Sequence, residues 1–296
     1  MPLESGESVK RKCELKIKVL IENTTESELK CEHGLSLYIE YRDKKILLDA
    51  GSTNAYAENA ESLGVDLSSV DMAFLSHGHY DHSGGFDAFI KINDHAPVYA
   101  METALNQYFS TSGGALHEIG VNAVIQEKLY EQMKPICEVT KVSDGIVLVP
   151  HSTQGLEKIG ERAGLYRVQE GEMLPDDFAH EMSVVFQTEA GLVICNSCSH
   201  GGVQNIVEEV KAVFPGKKIY AYVGGLHMRG LKNGETTCTF TAEEVKMLTD
   251  YIKAADIRFL ITGHCTGTPA MKLLREELDE GCLLEMYSGR IFDLDD

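Results

Sequence analysis

No stretch of this 296-residue sequence approaches the ~20 consecutive apolar residues needed to span a bilayer, so a membrane-embedded chain is not expected. Met1 to Lys12 carries charges at both ends with no apolar centre, unlike a secretory leader. Cysteine is sparse. Eight in the whole chain are too few for a disulfide scaffold, and several sit in apolar runs (Cys195, Cys282) or beside histidines (Cys31, Cys265). Reduced thiols and a cytoplasmic location are the expectation. Basic residues are also in deficit, 27 against 46 acidic for a formal charge of -19, so the positive footprint of a nucleic-acid binder is missing. Repeats and low-complexity stretches are absent. What remains is an ordinary globular composition, 43% hydrophobic and 25% charged, at a length that suits one large α/β domain or two smaller ones.

Hydrophobic periodicity supplies the elements. From Cys13 to Ile21 apolar residues alternate with polar ones, the pattern of a strand with one buried face. Residues 35–41 and 45–48 read as two further strands joined by a polar turn, and the chain turns again at Asp49-Ala50-Gly51. A helix over 54–63 ends at Gly64, and a short strand over 70–75 follows. Strand pattern returns at 183–187, 192–196, 218–223 and 259–262. Helices are expected at 203–213, after the capping box Thr241–Glu244, and over 269–278. Between Met101 and Asp177 the sequence carries short helical stretches and one hairpin, 137–140 with 146–149. It reads as an elaborated insertion near the site within a single domain spanning 1–296. Strands, helices, insertion, strands and helices in that order fit an α/β protein with two mixed sheets packed face to face and helices outside. The short links among the opening strands favour antiparallel pairing over a doubly wound sheet.

The chemistry concentrates at 76–85, Ser-His-Gly-His-Tyr-Asp-His-Ser-Gly-Gly, directly after a strand. Imidazole nitrogen and carboxylate oxygen are the usual ligands of zinc and similar divalent ions. His77 and His79, two apart on an extended loop, can point the same way. Asp81 and His82 follow after a turn and can face a second ion, as in two-metal hydrolytic sites.

This His-x-His-x-Asp-His motif with Asp49-Ala50-Gly51 upstream resembles the metallo-β-lactamase superfamily. Glu32-His33-Gly34-Leu35-Ser36, Cys198-Ser199-His200-Gly201-Gly202, Gly224-Gly225-Leu226-His227 and His264-Cys265-Thr266-Gly267 are similar to its branch of dihydropterin-ribofuranosylaminobenzene-phosphate synthase-related proteins. The resemblance implies a four-layer αββα sandwich. It implies His77 and His79 on one metal, Asp81 and His82 on a second, with His200 completing the first and His264 the second. His180 competes with His200. Cys198 stands roughly where relatives carry a bridging aspartate, so a thiolate ligand and a single filled site are both open. Asp49 is expected behind the ligands, orienting them. His33 and His227, in glycine-flanked loops, are candidates for substrate binding.

The function implied is hydrolysis of a small ester, lactone or phosphoester by a metal-activated water, with Asp81 orienting that water or taking its proton. One or two divalent ions are required, zinc first, with manganese and iron as alternatives. A synthase-type transferase and a non-catalytic metal- or ligand-binding module are the rival readings. The partner is a small molecule, with neither nucleic acid nor membrane involved.

Overall fold

A computed structural model describes residues 14–232 and 234–294; the polar start expected over 1–12, and Cys13, lie outside it. Two seven-stranded sheets face each other. In the first, the order is Ile291–Asp293, Leu15–Ile21, Ser36–Tyr41, Lys44–Leu48, Met72–Phe74, Val98–Met101 and Met133–Ile136. Its first four strands pair antiparallel, with a tight turn joining Ser36–Tyr41 to Lys44–Leu48, and the rest pair parallel. In the second, Leu283–Glu285, Phe259–Thr262, Ile219–Val223 and Leu192–Cys195 run parallel. Met182–Gln187, Ile146–Pro150 and Thr140–Ser143 complete it antiparallel.

Side-chain alternation decides which layer each strand face joins. Leu148, Val184, Phe186 and Val193 meet Ile17, Leu48 and Phe74 of the first sheet in the central core. Their neighbours Val147, Val149, Val185 and Ile194 point the other way, onto the helices Val203–Val213, Ala242–Ala254 and Thr268–Glu277. The helices Ala55–Ser62, Phe86–Ile92 and Ala123–Gln132 cover the opposite face of the first sheet through Tyr56, Phe89 and Leu129. The layers are therefore helix, sheet, sheet, helix.

The stretch 101–177 departs from a simple insertion. Met133–Ile136 extends the first sheet, and Thr140–Ser143 with Ile146–Pro150 extends the second. Only Tyr108–Ser110, His117–Glu118, Leu165–Gln169 and Glu172–Pro175 stand apart, as a four-stranded sheet with its own small core of Tyr108, Ile119, Leu156, Leu165 and Phe178. The hairpin's first strand lies three residues later than periodicity suggests, at Thr140–Ser143, because its mostly polar residues sit on a sheet edge with little to alternate against. Met133–Ile136 includes Pro135, which cannot donate to a ladder and suits an edge strand.

One buried charge cluster ties the second sheet to its helices. His151, just past Ile146–Pro150, donates from Nδ1 to Glu209 at 2.9 Å and from Nε2 to Glu181 at 2.7 Å. Glu209 also accepts the Ser152 and Thr153 amides, and Glu181 those of His200 and Gly201. Burial alone would lower the His151 pKa, but the two carboxylates outweigh it and raise it to about 10. Removing one partner of a buried ion pair costs about 3–5 kcal/mol. His151→Ala should therefore lower the thermal midpoint by roughly 5–15 °C at pH 6. A raised histidine pKa stabilises fully below its unfolded value and loses that effect as pH climbs to the folded one. The gap between wild type and variant should accordingly narrow from pH 6.5 towards pH 10 in melts followed by circular dichroism. A constant gap would contradict a charged His151.

Candidate metal centre

Both sheets present the C-terminal ends of parallel strands at one edge, where open α/β sheets collect ligands. Lys44–Leu48 runs into Asp49, Met72–Phe74 into His77 and His79, Leu192–Cys195 into Cys198 and His200, Ile219–Val223 into His227, and Phe259–Thr262 into His264. Asp49, Ser199, His227 and His264 all take positive φ, between 48° and 60°. L-residues adopt that region rarely and at a cost, so finding one on each of four of these five loops, half of such residues among those described, marks an over-determined site. The helical turn Tyr80–Ser83 carries Asp81 and His82 and is pressed onto the 49–52 loop. A Cβ on Gly84 would come within 1.9 Å of the Ser52 carbonyl oxygen, so only glycine permits the approach.

Asp49 is wholly buried and accepts three hydrogen bonds of 2.7 Å, from the Ser76 amide, the Ser76 hydroxyl and His82 Nδ1. Ser76 Oγ, its proton given to Asp49, accepts from His77 Nδ1 at 2.8 Å. Asn23 Oδ1 accepts from His264 Nδ1 at 2.9 Å, and the Glu22 carboxylate accepts the His264 amide. Each arrangement puts a proton on Nδ1 and turns the other nitrogen, Nε2, inward.

Those inward nitrogens meet. His77 Nε2 lies 3.3 Å from His200 Nε2, and a ligand atom of His79 completes a compact triplet with them. His82 Nε2 lies 3.1 Å from His264 Nε2 and 3.2 Å from Cys198 Sγ. Asp81 Oδ2 stands 3.4 Å from His264 Nε2 and 3.7 Å from His82 Nε2. Ligands about 2.0–2.1 Å from a tetrahedral ion are roughly 3.3 Å from one another, so the spacing suits shared divalent cations. His79 Nε2 and His200 Nδ1 are buried without any hydrogen-bond partner, which a purely structural histidine cluster would be expected to supply. Burial first, then the neighbouring imidazoles, lowers the pKa of His77 and His200 well below the ordinary range; for His79, burial and His180 outweigh the opposing carboxylates and leave it at about 3. These rings stay unprotonated, the form that ligates.

His180 is engaged elsewhere. Its Nδ1 accepts from the Gly78 amide and its Nε2 donates to Asp176, both at 3.0 Å, so it props the loop between His77 and His79. Cys198 Sγ sits between the two clusters, close to both His77 and His82. Cys195, three residues earlier, points into the central core instead. His33 Nε2 lies 3.3 Å from Asp81 Oδ2, and its ring stacks on His264 at 5.2 Å. The His227 ring lies 4.4 Å from that of His200. Sequence reading missed Asn23, Glu22, Ser76, Asp176 and the His151 cluster. Only Ser76, inside the motif, left a signal; the others reach the site from loops distant in sequence.

Residues 29–121 match the Metallo-beta-lactamase superfamily. A curated relative from Methanocaldococcus jannaschii, named 7,8-dihydropterin-6-methyl-4-(beta-D-ribofuranosyl)-aminobenzene-5'-phosphate synthase, is 29% identical over 88% of this chain and 89% of its own. An uncharacterised protein of the same organism is 26% identical, covering 88% of this chain and 94% of that one. Among solved structures, Tm1679, described as a metal-dependent hydrolase of the beta-lactamase superfamily, superposes with a TM-score of 0.78 at 26% identity, covering 95% of this chain and all of that one (100%). The fold of that superfamily implies divalent metal binding, which the donor set described above fits. By the match over residues 29–121 and by the arrangement of its sheets, the chain carries a metallo-β-lactamase superfamily domain and has the fold of a solved metal-dependent hydrolase of that superfamily.

Proposed function

We propose that this protein is a metal-dependent hydrolase of a small ester, lactone or phosphoester, with His77, His79 and His200 holding one ion and Asp81, His82 and His264 the second. The observation carrying the reading is the pair of facing Nε2 contacts, at 3.3 and 3.1 Å, whose outer nitrogens on His77, His82 and His264 are each tied to a carboxylate, hydroxyl or amide. These residues would hold a divalent ion, which when bound would supply a water with a pKa near about 7 and polarise the oxygen under attack. Cys198, close to both clusters, would be a further ligand, and zinc is the ion that thiolate and imidazole would suit best, ahead of manganese and iron.

The chain's own residues do the rest. Asp81 is held ionised: burial opposes it, but His82 and His264 prevail and keep its pKa well below the usual carboxylate range. Such a weak base orients a proton better than it stores one, so Asp81 aims the attacking water. His33 Nε2, 3.3 Å away on the open side and kept neutral by burial, contacts the substrate. His227, beside His200, faces the substrate.

A second reading has one specific support, the relative named as a synthase. Incubation with a dihydropterin and a ribosyl-aminobenzene phosphate, in parallel with a panel of esters, lactones and phosphodiesters, separates the two. The hydrolase reading expects turnover of the panel and none of the paired precursors.

His79→Ala and His200→Ala should each remove at least half of the bound metal and slow turnover by 100-fold or more. Elemental analysis showing full metal content in either variant would sink the assignment of the first ion. Asp49→Asn keeps the shape but cannot accept all three donors as a carboxylate. Its expected cost is about 10–100-fold in metal affinity, measured by chelator competition. His180→Gln, by contrast, should retain metal in the same assay.

A further inference from the structure

Arg229 differs from every other described arginine. Arg42, Arg162, Arg167 and Arg275 each pair with a carboxylate. Arg290 donates to a backbone carbonyl and lies over two rings, and Arg258 lies over Phe259. Among the described residues, no carboxylate, hydrogen-bond acceptor or aromatic ring engages the Arg229 guanidinium. In a chain with 46 acidic against 27 basic residues, an idle arginine is unusual.

Its backbone is fixed. The Met228 amide donates to the Cys265 carbonyl at 3.0 Å, and the Met228 carbonyl accepts from Thr239 at 2.8 Å. The side-chain stem lies flat on Gly267, where an added Cβ would meet Arg229 Cβ, Cγ and Cδ at 3.1, 3.2 and 3.5 Å. That surface belongs to the turn immediately after His264, so the stem runs along the wall of the site. At its far end the positive charge bears on His33 and Tyr80. Both are open to solvent, with 40% of the His33 side chain and 42% of Tyr80 exposed, and their rings are 6.4 Å apart. His33 in turn contacts Asp81. Arg229, His33 and Tyr80 therefore frame one side of the mouth above the second cluster.

We infer that Arg229 is an oxyanion subsite, binding a carboxylate or phosphate group that the substrate carries beside its scissile bond, with the Tyr80 hydroxyl as a neighbouring donor. The inference rests on the histidine cluster being the reacting centre. A planar guanidinium matches two oxygens of either group, and its lack of an internal partner means that binding breaks no existing pair. The net charge of -19 rules out attraction from afar, but over a few Å inside the ~8 Å screening length the local cation decides.

Calorimetric titration of the zinc-loaded full chain with phenylphosphonate, benzoate and neutral benzamide tests this. Wild type should bind one or both anions at least tenfold more tightly than Arg229→Ala, with benzamide and zinc content unchanged between them. Arg229→Lys, which keeps the charge without the fork, should recover part of the loss. The anion that loses more identifies the group as phosphate or carboxylate. Equal affinity in wild type and Arg229→Ala, or no anion binding by wild type, overturns the inference. An inert ester panel alongside a clear Arg229 effect would instead defeat the hydrolase reading and leave the subsite standing.

Discussion

A single buried carboxylate organises the metal centre. Asp49 has no exposure to water, and an ionised group in that position is tolerable only if its lone pairs are taken up. Three donors do so at 2.7 Å, two of them from Ser76 and one from His82. Each bond has a consequence beyond satisfying Asp49. The amide bond fixes where the His77–His79 loop leaves its strand. The hydroxyl bond forces Ser76 to accept from His77, and the imidazole bond settles the tautomer of His82. One side chain thus sets the inward nitrogens of both clusters together.

The opposite wall has its own anchors, and they are of different chemistry. His264 is gripped through its amide by Glu22 and through its ring by Asn23, both at the end of the first described strand. His200 is held only through its backbone, by Glu181. Its ring is otherwise located by packing, stacked on Phe178 at 5.3 Å, and its outer nitrogen is left without a partner. His79 and His200 are therefore the rings whose orientation depends most on an ion and least on hydrogen bonds from the protein. Positive φ at Asp49, Ser199, His227 and His264 fits this picture, since each strained turn is pinned by at least one long-range hydrogen bond.

Much of this was legible in residue order. Alternation over 13–21 located the first strand because one face of most of it is buried and the period is visible, and the apolar runs 35–41 and 183–187, buried on both faces, match strands to within a residue. The capping box at Thr241 and Glu244 forms as its spacing requires. The fold class followed from element order and short links. Illegible were features whose cause lies far away in the chain. Leu283–Glu285 and Ile291–Asp293 have three residues each, too few for a period, and exist because a sheet edge was available. Met133–Ile136 hides behind Pro135. His180 and His200 look equivalent in sequence, each a histidine beside a strand, and differ only because Asp176 and the Gly78 amide occupy both nitrogens of one. His151 carries no motif; its meaning depends on two glutamates 30 and 58 residues away.

Charge gives the last link between composition and chemistry. The chain as a whole is strongly acidic, yet in the proposed ligand set only Asp81 brings a carboxylate, with Asp49 one step behind it. Where a carboxylate bridge would add a second negative ligand, Cys198 stands, its thiol pushed up by burial and so neutral until an ion displaces the proton. Two divalent cations in such a set would be under-neutralised by protein ligands alone. The site then favours either a single tightly held ion, or two ions whose excess charge is balanced by a thiolate and an anionic substrate group. The net charge of -19 supplies no long-range pull on polyanions; the interior, short of negative ligands, leaves positive charge that an oxyanion at close range would balance.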